Sequence, residues 1–148
     1  MASQLQSIVD DIVAMTVTGY SMDVYAGDNL RNVIDIADLP ARVVNAIGFA
    51  GSVTKTATFG AGHVMVTEWT ITDTALLRKA GTGYGLKDIA PDITGYLAAY
   101  HNAVRTLIDP RWSVTRVTTR AQVLEWPQAS AVYYDAVQAT LTISEIVE

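Results

Sequence analysis

Two hydrophobic rhythms run along this chain. The slower returns every three or four residues and marks helices. From Pro91 to Asp109, the apolar positions Ile93, Tyr96, Leu97, Tyr100, Val104, Leu107 and Ile108 draw one stripe at helical spacing. Pro91 suits a first turn, where its missing N–H costs nothing. Asp92 puts negative charge near the N-terminus, and Pro110 ends the helix. A second helix is predicted from Ser3 to Met15, with Leu5, Ile8, Val9, Ile12 and Val13 on one side. Ser3 and Gln6 fit a capping box.

The faster rhythm has a period of two and marks strands. A short extended piece is expected at Met22 to Tyr25 and a strand at Arg42 to Ile47, with Pro40 at its entry. Val53 to Phe59 and His63 to Asp73 read as a hairpin across Gly60-Ala61-Gly62. Thr74 to Ala80 either extends that strand or forms a helical turn. Trp112 to Thr119 is a further strand, and Val123 to Trp126 a short piece ending at Pro127. Ser130 to Ile146 gives the strongest strand pattern. Its apolar parity moves from Val132, Tyr134 and Ala136 to Val137, Ala139, Leu141 and Ile143, so a bulge or bend is expected near Asp135. Runs of strands with segregated helices imply an α+β fold. The expected architecture is a mainly antiparallel sheet of four to six strands, packed by an N-terminal helix and a long central helix. No linker or repeat divides the chain, so residues 1–148 read as a single domain.

Composition narrows the function. Half of the 148 residues are hydrophobic and 17% are charged, which suits a packed core rather than disorder. There is no cysteine, hence no disulfide framework and no thiol nucleophile. No apolar run approaches the length of a membrane span, and the start lacks a basic leader with an apolar h-region, so a cytoplasmic folding site is expected. The net charge of −5 argues against tight nucleic-acid binding by the whole chain.

The chemistry-bearing residues are sparse. His63 and His101 have no paired ligand spacing, and structural or surface roles are expected for both. Asp10 and Asp11 are adjacent and point apart on a helix; Asp35 and Asp38 read as turn residues. Gly81-Thr82-Gly83-Tyr84-Gly85 lacks the ending of a phosphate loop and the spacing of a dinucleotide fingerprint. A loop that orders against a partner fits it better. No nucleophile elbow or histidine-based triad is present. No enzyme activity, cofactor or metal is therefore expected. Arg105, Arg111, Arg116 and Arg120 crowd four cations into sixteen positions and form a candidate patch for an anionic partner. The central helix also carries small residues beside its apolar stripe: Gly95, Ala98, Ala99, Asn102 and Ala103. They allow a close approach by another backbone. Gly81, Gly83, Tyr84, Gly85, Gly95, Ala99 and Asn102 are the candidate subunit interface. Packing of the first helix within the monomer is the competing explanation for the small-residue face.

The order of elements, with Leu39-Pro40-Ala41, the alternating segment around Trp69 and the tyrosine-led final strand through Glu145, resembles the tail terminator and neck proteins of long-tailed bacteriophages. The resemblance covers most of the chain. It implies a structural virion protein, assembled in the host cytoplasm, that forms a homo-oligomeric ring, hexameric in such families, at the head-proximal end of the tail tube. Its implied partners are the tail-tube and head-connector proteins, with DNA passing through the lumen unread and no membrane involved. Another head–tail connector, head-closure or tail-tube role is the neighbouring alternative. A small-molecule-binding α+β protein is the alternative from another class, and it predicts an apolar pocket with converging polar groups.

Overall fold

A computed structural model describes residues 5–26, 39–45, 54–59, 65–80, 86–126 and 131–147. In chain order these form α1 (Leu5–Ala14), β1 (Asp23–Ala26), β2 (Ala41–Asn45), β3 (Thr54–Phe59), β4 (Met65–Lys79), α2 (Leu86–Val104), β5 (Trp112–Glu125) and β6 (Tyr133–Val147). The fold is α+β, with one six-stranded sheet and two helices among the described residues. The sheet runs β1-β2-β4-β6-β5, and β3 also pairs with β4. All pairings are antiparallel except β1 with β2.

β4 is the axis of this sheet. One edge pairs along most of its length with β6; the other is shared by β3, opposite Met65–Thr70, and β2, opposite Thr72–Leu76. Every residue from Ile71 to Leu76 is buried, because this segment lies inside the sheet and is covered on both faces. Thr74 to Lys79 thus extends the strand.

The larger core joins Ile8, Val9 and Ile12 of α1 and Tyr96, Tyr100 and Val104 of α2 to Trp69, Ile71, Ala75, Val137, Ala139, Leu141 and Ile143. Fully burying each such aliphatic side chain stabilises the fold by about 1.5–3 kcal/mol. A second cluster holds Ala41, Val43, Leu76, Trp126, Tyr134 and Ala136, with Leu39 and Leu124 packed against it. The peptide bond between Leu39 and Pro40 is cis.

This second cluster explains the parity change in β6 and corrects the expected bulge. Tyr134 and Ala136 belong to one cluster while Val137 and Ala139 belong to the other, so both faces are buried at this end. β6 keeps a regular register with β5 from Tyr133 through Thr142. The extra residue lies in β4, where Leu76 opposes Ala136 and Arg78 opposes Asp135, leaving Leu77 between them.

The long helix is shifted toward the N-terminus of the expected span. It begins at Leu86, so Pro91 is its sixth residue and lies inside it. The Lys87 carbonyl therefore has no i+4 N–H to accept from. The Thr94 hydroxyl shares its one proton between the carbonyls of Ala90 (3.0 Å) and Pro91 (3.1 Å), bonding back onto the preceding turn. At the other end Thr106 N–H donates to Ala103 O and Leu107 N–H to Val104 O, both at 3.0 Å. The Thr106 hydroxyl also donates to Ala103 O at 2.6 Å. These i→i−3 bonds close the helix early. Ile108 consequently leaves the stripe and is 89% exposed. Asp109 Oδ1 then accepts the Arg111 N–H at 2.8 Å and turns the chain into β5.

β5 is a single strand of 14 residues, longer than expected, which absorbs the expected short piece from Val123 as far as Glu125 and leaves Trp126 just beyond its end. Its one register shift lies between Val114 and Arg116. β6 pairs with one of its edges, and among the described residues no strand pairs with the other.

Candidate functional site

Two arrangements stand out, one buried and one at the sheet edge. The buried one is polar. Arg42 on β2 and Asp73 on β4 both point to the helix side of the sheet and are each about 1% exposed. Arg42 Nε donates to Asp73 Oδ1 at 3.2 Å and Nη2 to Oδ2 at 2.6 Å, the side-on two-point geometry that a planar guanidinium favours. Arg42 Nη1 donates to Met15 O at 2.8 Å and Nη2 to Ile12 O at 3.0 Å. Those carbonyls lie at the C-terminal end of α1, where acceptors lose their i+4 partners; Ile12 O also accepts the Met15 N–H at 3.2 Å. The guanidinium thus caps α1 with its hydrogen bonds and with its positive charge. Tyr100 on α2 completes the set by donating to Asp73 Oδ2 at 2.8 Å.

Electrostatics around this cluster follow from its dryness. Burial alone would lower the Arg42 pKa, but Asp73 outweighs it and the net shift is upward. Burial, then the Asp73 charge and its hydrogen bond, push the Tyr100 hydroxyl well above its ordinary value. Burial likewise raises Tyr96, with the Asp73 charge adding to it. Tyr96 packs edge-on to Tyr20 at 5.3 Å, and its own hydroxyl is buried without a partner among the described residues. Arg42 and Tyr100 thus spend their hydrogen bonds inside the cluster, while the Tyr96 hydroxyl stands beside it. Its hydrogen bonds join the end of α1, β2, β4 and α2 at one point.

Beside Arg42 lies a pocket of about 240 Å³, bordered by Met15, Val17, Tyr20, Met22 and Val24. Drug-sized ligands occupy sites of roughly 300–1,000 Å³. The pocket is too small for most of them, and its one charged wall is already spent on Asp73 and the α1 carbonyls.

The second arrangement is a groove of about 580 Å³ between the C-terminal end of α2 and β5. Val104, Leu107, Val114 and Val117 supply apolar surface, while His101, Arg105 and Arg116 supply polar and cationic surface. The register shift around Thr115 opens this part of the strand, and the Thr115 hydroxyl donates to Thr142 O at 3.2 Å. His101 Nε2 lies 3.5 Å from the Thr119 hydroxyl.

The candidate arginines divide accordingly. Arg105 and Arg116 line the same groove. Arg120 lies four residues further along β5, opposite Gln138. Arg111 pairs with Asp109 at 3.6 Å. Arg105, Arg116 and Arg120 are exposed and have no carboxylate partner among the described residues.

The small-residue face divides too. Ala103 is buried and Ala99 half-buried against the larger core, whereas Gly95, Ala98 and Asn102 are exposed. Gly95 is approached from within the chain: a Cβ there would stand 2.7 Å from the Tyr20 hydroxyl, which donates to Asp92 O at 3.1 Å. Gly81, Gly83, Tyr84 and Gly85 fall outside the described residues, as do His63, Asp35, Asp38 and the Ser3 half of the expected capping box. Gln6 Nε2 donates instead to Asp10 Oδ1 at 3.0 Å.

Sequence reasoning missed Arg42, Asp73 and Tyr100 as a unit. One hint was present: Arg42 and Asp73 are charged residues inside otherwise apolar or threonine-rich strands, and such charges need partners when buried. It also missed Glu145, which is fully buried and accepts the Trp69 Nε1–H at 2.7 Å.

The fold and surface together define an α+β protein with a buried polar cluster and, among the described residues, a sheet edge that bears cations and pairs with no further strand. No protein-family model and no curated protein matches the chain.

Proposed function

We propose that this chain is a structural subunit of a long-tailed bacteriophage neck, a tail terminator that closes the tail tube with a homo-oligomeric ring and joins it to the head connector. The order of segments that resembles those proteins suggests the reading. The observation that carries it furthest is the combination of a 14-residue edge strand, unpaired on one side among the described residues, with an adjoining apolar and cationic groove. A ring needs two different surfaces of one subunit to meet around an axis, and such an edge supplies one of them. In this reading the N-terminal and long central helices form a layer on one side of the sheet and leave β5 open to a neighbour. The buried Arg42–Asp73–Tyr100 cluster supports an architectural role, since its strong donors are consumed in holding elements together.

Negative-stain electron microscopy of the purified protein tests this directly. Closed rings of one order, hexamers by family resemblance, are the expected result. Open tubes would move the protein to the tail-tube role. Monomers across a wide concentration range would remove the proposal.

A further inference from the structure

The charges of this chain are unevenly placed, and that asymmetry says what the groove takes. Its exposed cations Arg105 and Arg116, which have no carboxylate partner among the described residues, line one groove at one end of the sheet order, where α2 packs beside β5. α1 packs beside β1 and β2, at the other end of that order, while its C-terminal end, with Asp11 and Ala14, borders a separate pocket with Thr106, Leu107 and Ile108. There Asp10 on α1 and Asp23 on β1 are exposed, and neither has a cation partner among the described residues. The whole chain carries a net charge of −5, so the cationic edge stands out against an acidic molecule. A surface of this kind attracts the rest of another copy and repels its own equivalent, which disfavours two-fold pairing of groove with groove. The floor of Val104, Val114 and Val117 fits a protein surface with apolar atoms better than a bare phosphate chain.

We infer that the groove between the end of α2 and β5 is a head-to-tail contact that receives the acidic α1–β1 side of a second copy of this chain. The inference rests on the ring reading and names one of its interfaces. Arg105 and Arg116 border the contact, and the valines between them provide the area that is dried on docking. A head-to-tail contact of this sort closes into a ring when the rotation between copies divides the circle, and otherwise grows into a filament.

The test is sedimentation-velocity analysis of the full chain and of Arg105→Ala/Arg116→Ala at low and high sodium chloride, with Lys79→Glu as a control that makes the same change in net charge. Both arginines are exposed, so an unchanged circular-dichroism melt is expected to show that the double variant folds. The wild type is expected to associate, and the double variant to associate at least about ten-fold more weakly at low salt. The control should stay close to wild type. If the double variant assembles as well as wild type, the groove is not the contact, although the ring reading stands. If the wild type is monomeric throughout, both fail. If it assembles only after short duplex DNA is added, and the double variant does not bind that DNA, the groove takes a polyanion and the inference is overturned.

Discussion

Arg42 shows how much one side chain can decide. It is about 1% exposed and donates to two carbonyls of α1 and to both oxygens of Asp73. Arg42→Met keeps length and apolar bulk but leaves the buried Asp73 carboxylate with the Tyr100 hydroxyl and no counter-charge, and takes the side-chain donors from Ile12 O and Met15 O. Removing one member of a buried pair costs roughly 3–5 kcal/mol, and urea denaturation should report a loss of that order. Tyr100→Phe removes only the 2.8 Å hydrogen bond to Asp73, and about 1.5–3 kcal/mol is expected. The tyrosines also set an alkaline limit. Their folded pKa values lie above the ordinary 10.0, so the native state holds these protons more tightly than the unfolded chain does. Their contribution is complete below about pH 10 and declines as pH rises beyond it, by up to ~1.4 kcal/mol per pH unit for each tyrosine. Stability measured from pH 8 to 11.5 should therefore fall above pH 10, and less steeply in Tyr100→Phe.

At the scale of elements, α2 is where local pattern and tertiary context diverge. Its stripe through Ile93, Tyr96, Leu97, Tyr100 and Val104 was legible, because a core-facing helix must repeat at that spacing. Its ends were not. Pro91 looked like a start, yet it lies inside the helix, and the Thr106 hydroxyl closes the helix before Ile108. β6 gives the complementary case. Its alternation located the strand, but a change of apolar parity means either a bulge or a second core, and a single sequence does not distinguish them. Trp126 and Tyr134, buried on the far face, decide for the second core. Gly95 offers a test within α2. Gly→Ala inside a helix ordinarily stabilises by about 1 kcal/mol. Here the new methyl displaces the Tyr20 hydroxyl and disturbs its bond to Asp92 O, so the gain should vanish. In a Tyr20→Phe background the obstructing atom is gone, and the same substitution should stabilise. Thermal melts of the four proteins check this.

For the whole molecule, the sequence conveyed the α+β class, the two helical segments and the crowding of arginines. Which arginines act together was not legible. Arg105 and Arg116 meet because α2 returns beside β5, while Arg111 is taken by Asp109 through a local turn. That meeting makes one sheet edge cationic on an acidic chain, and assembly should accordingly weaken as salt rises. The buried cluster was illegible for a related reason: positions 42, 73 and 100 converge only once the sheet and both helices are placed. Its last consequence concerns motion. Asp73 is a node shared by the sheet, α2 and, through Arg42, the end of α1. A ten-residue helix alone in water is marginal and would open far more readily than the sheet beneath it. Tethered to that node, its amides should exchange with deuterium only as slowly as those of central β4, in a single opening event. In Arg42→Met the helix should become a separate, faster-exchanging unit.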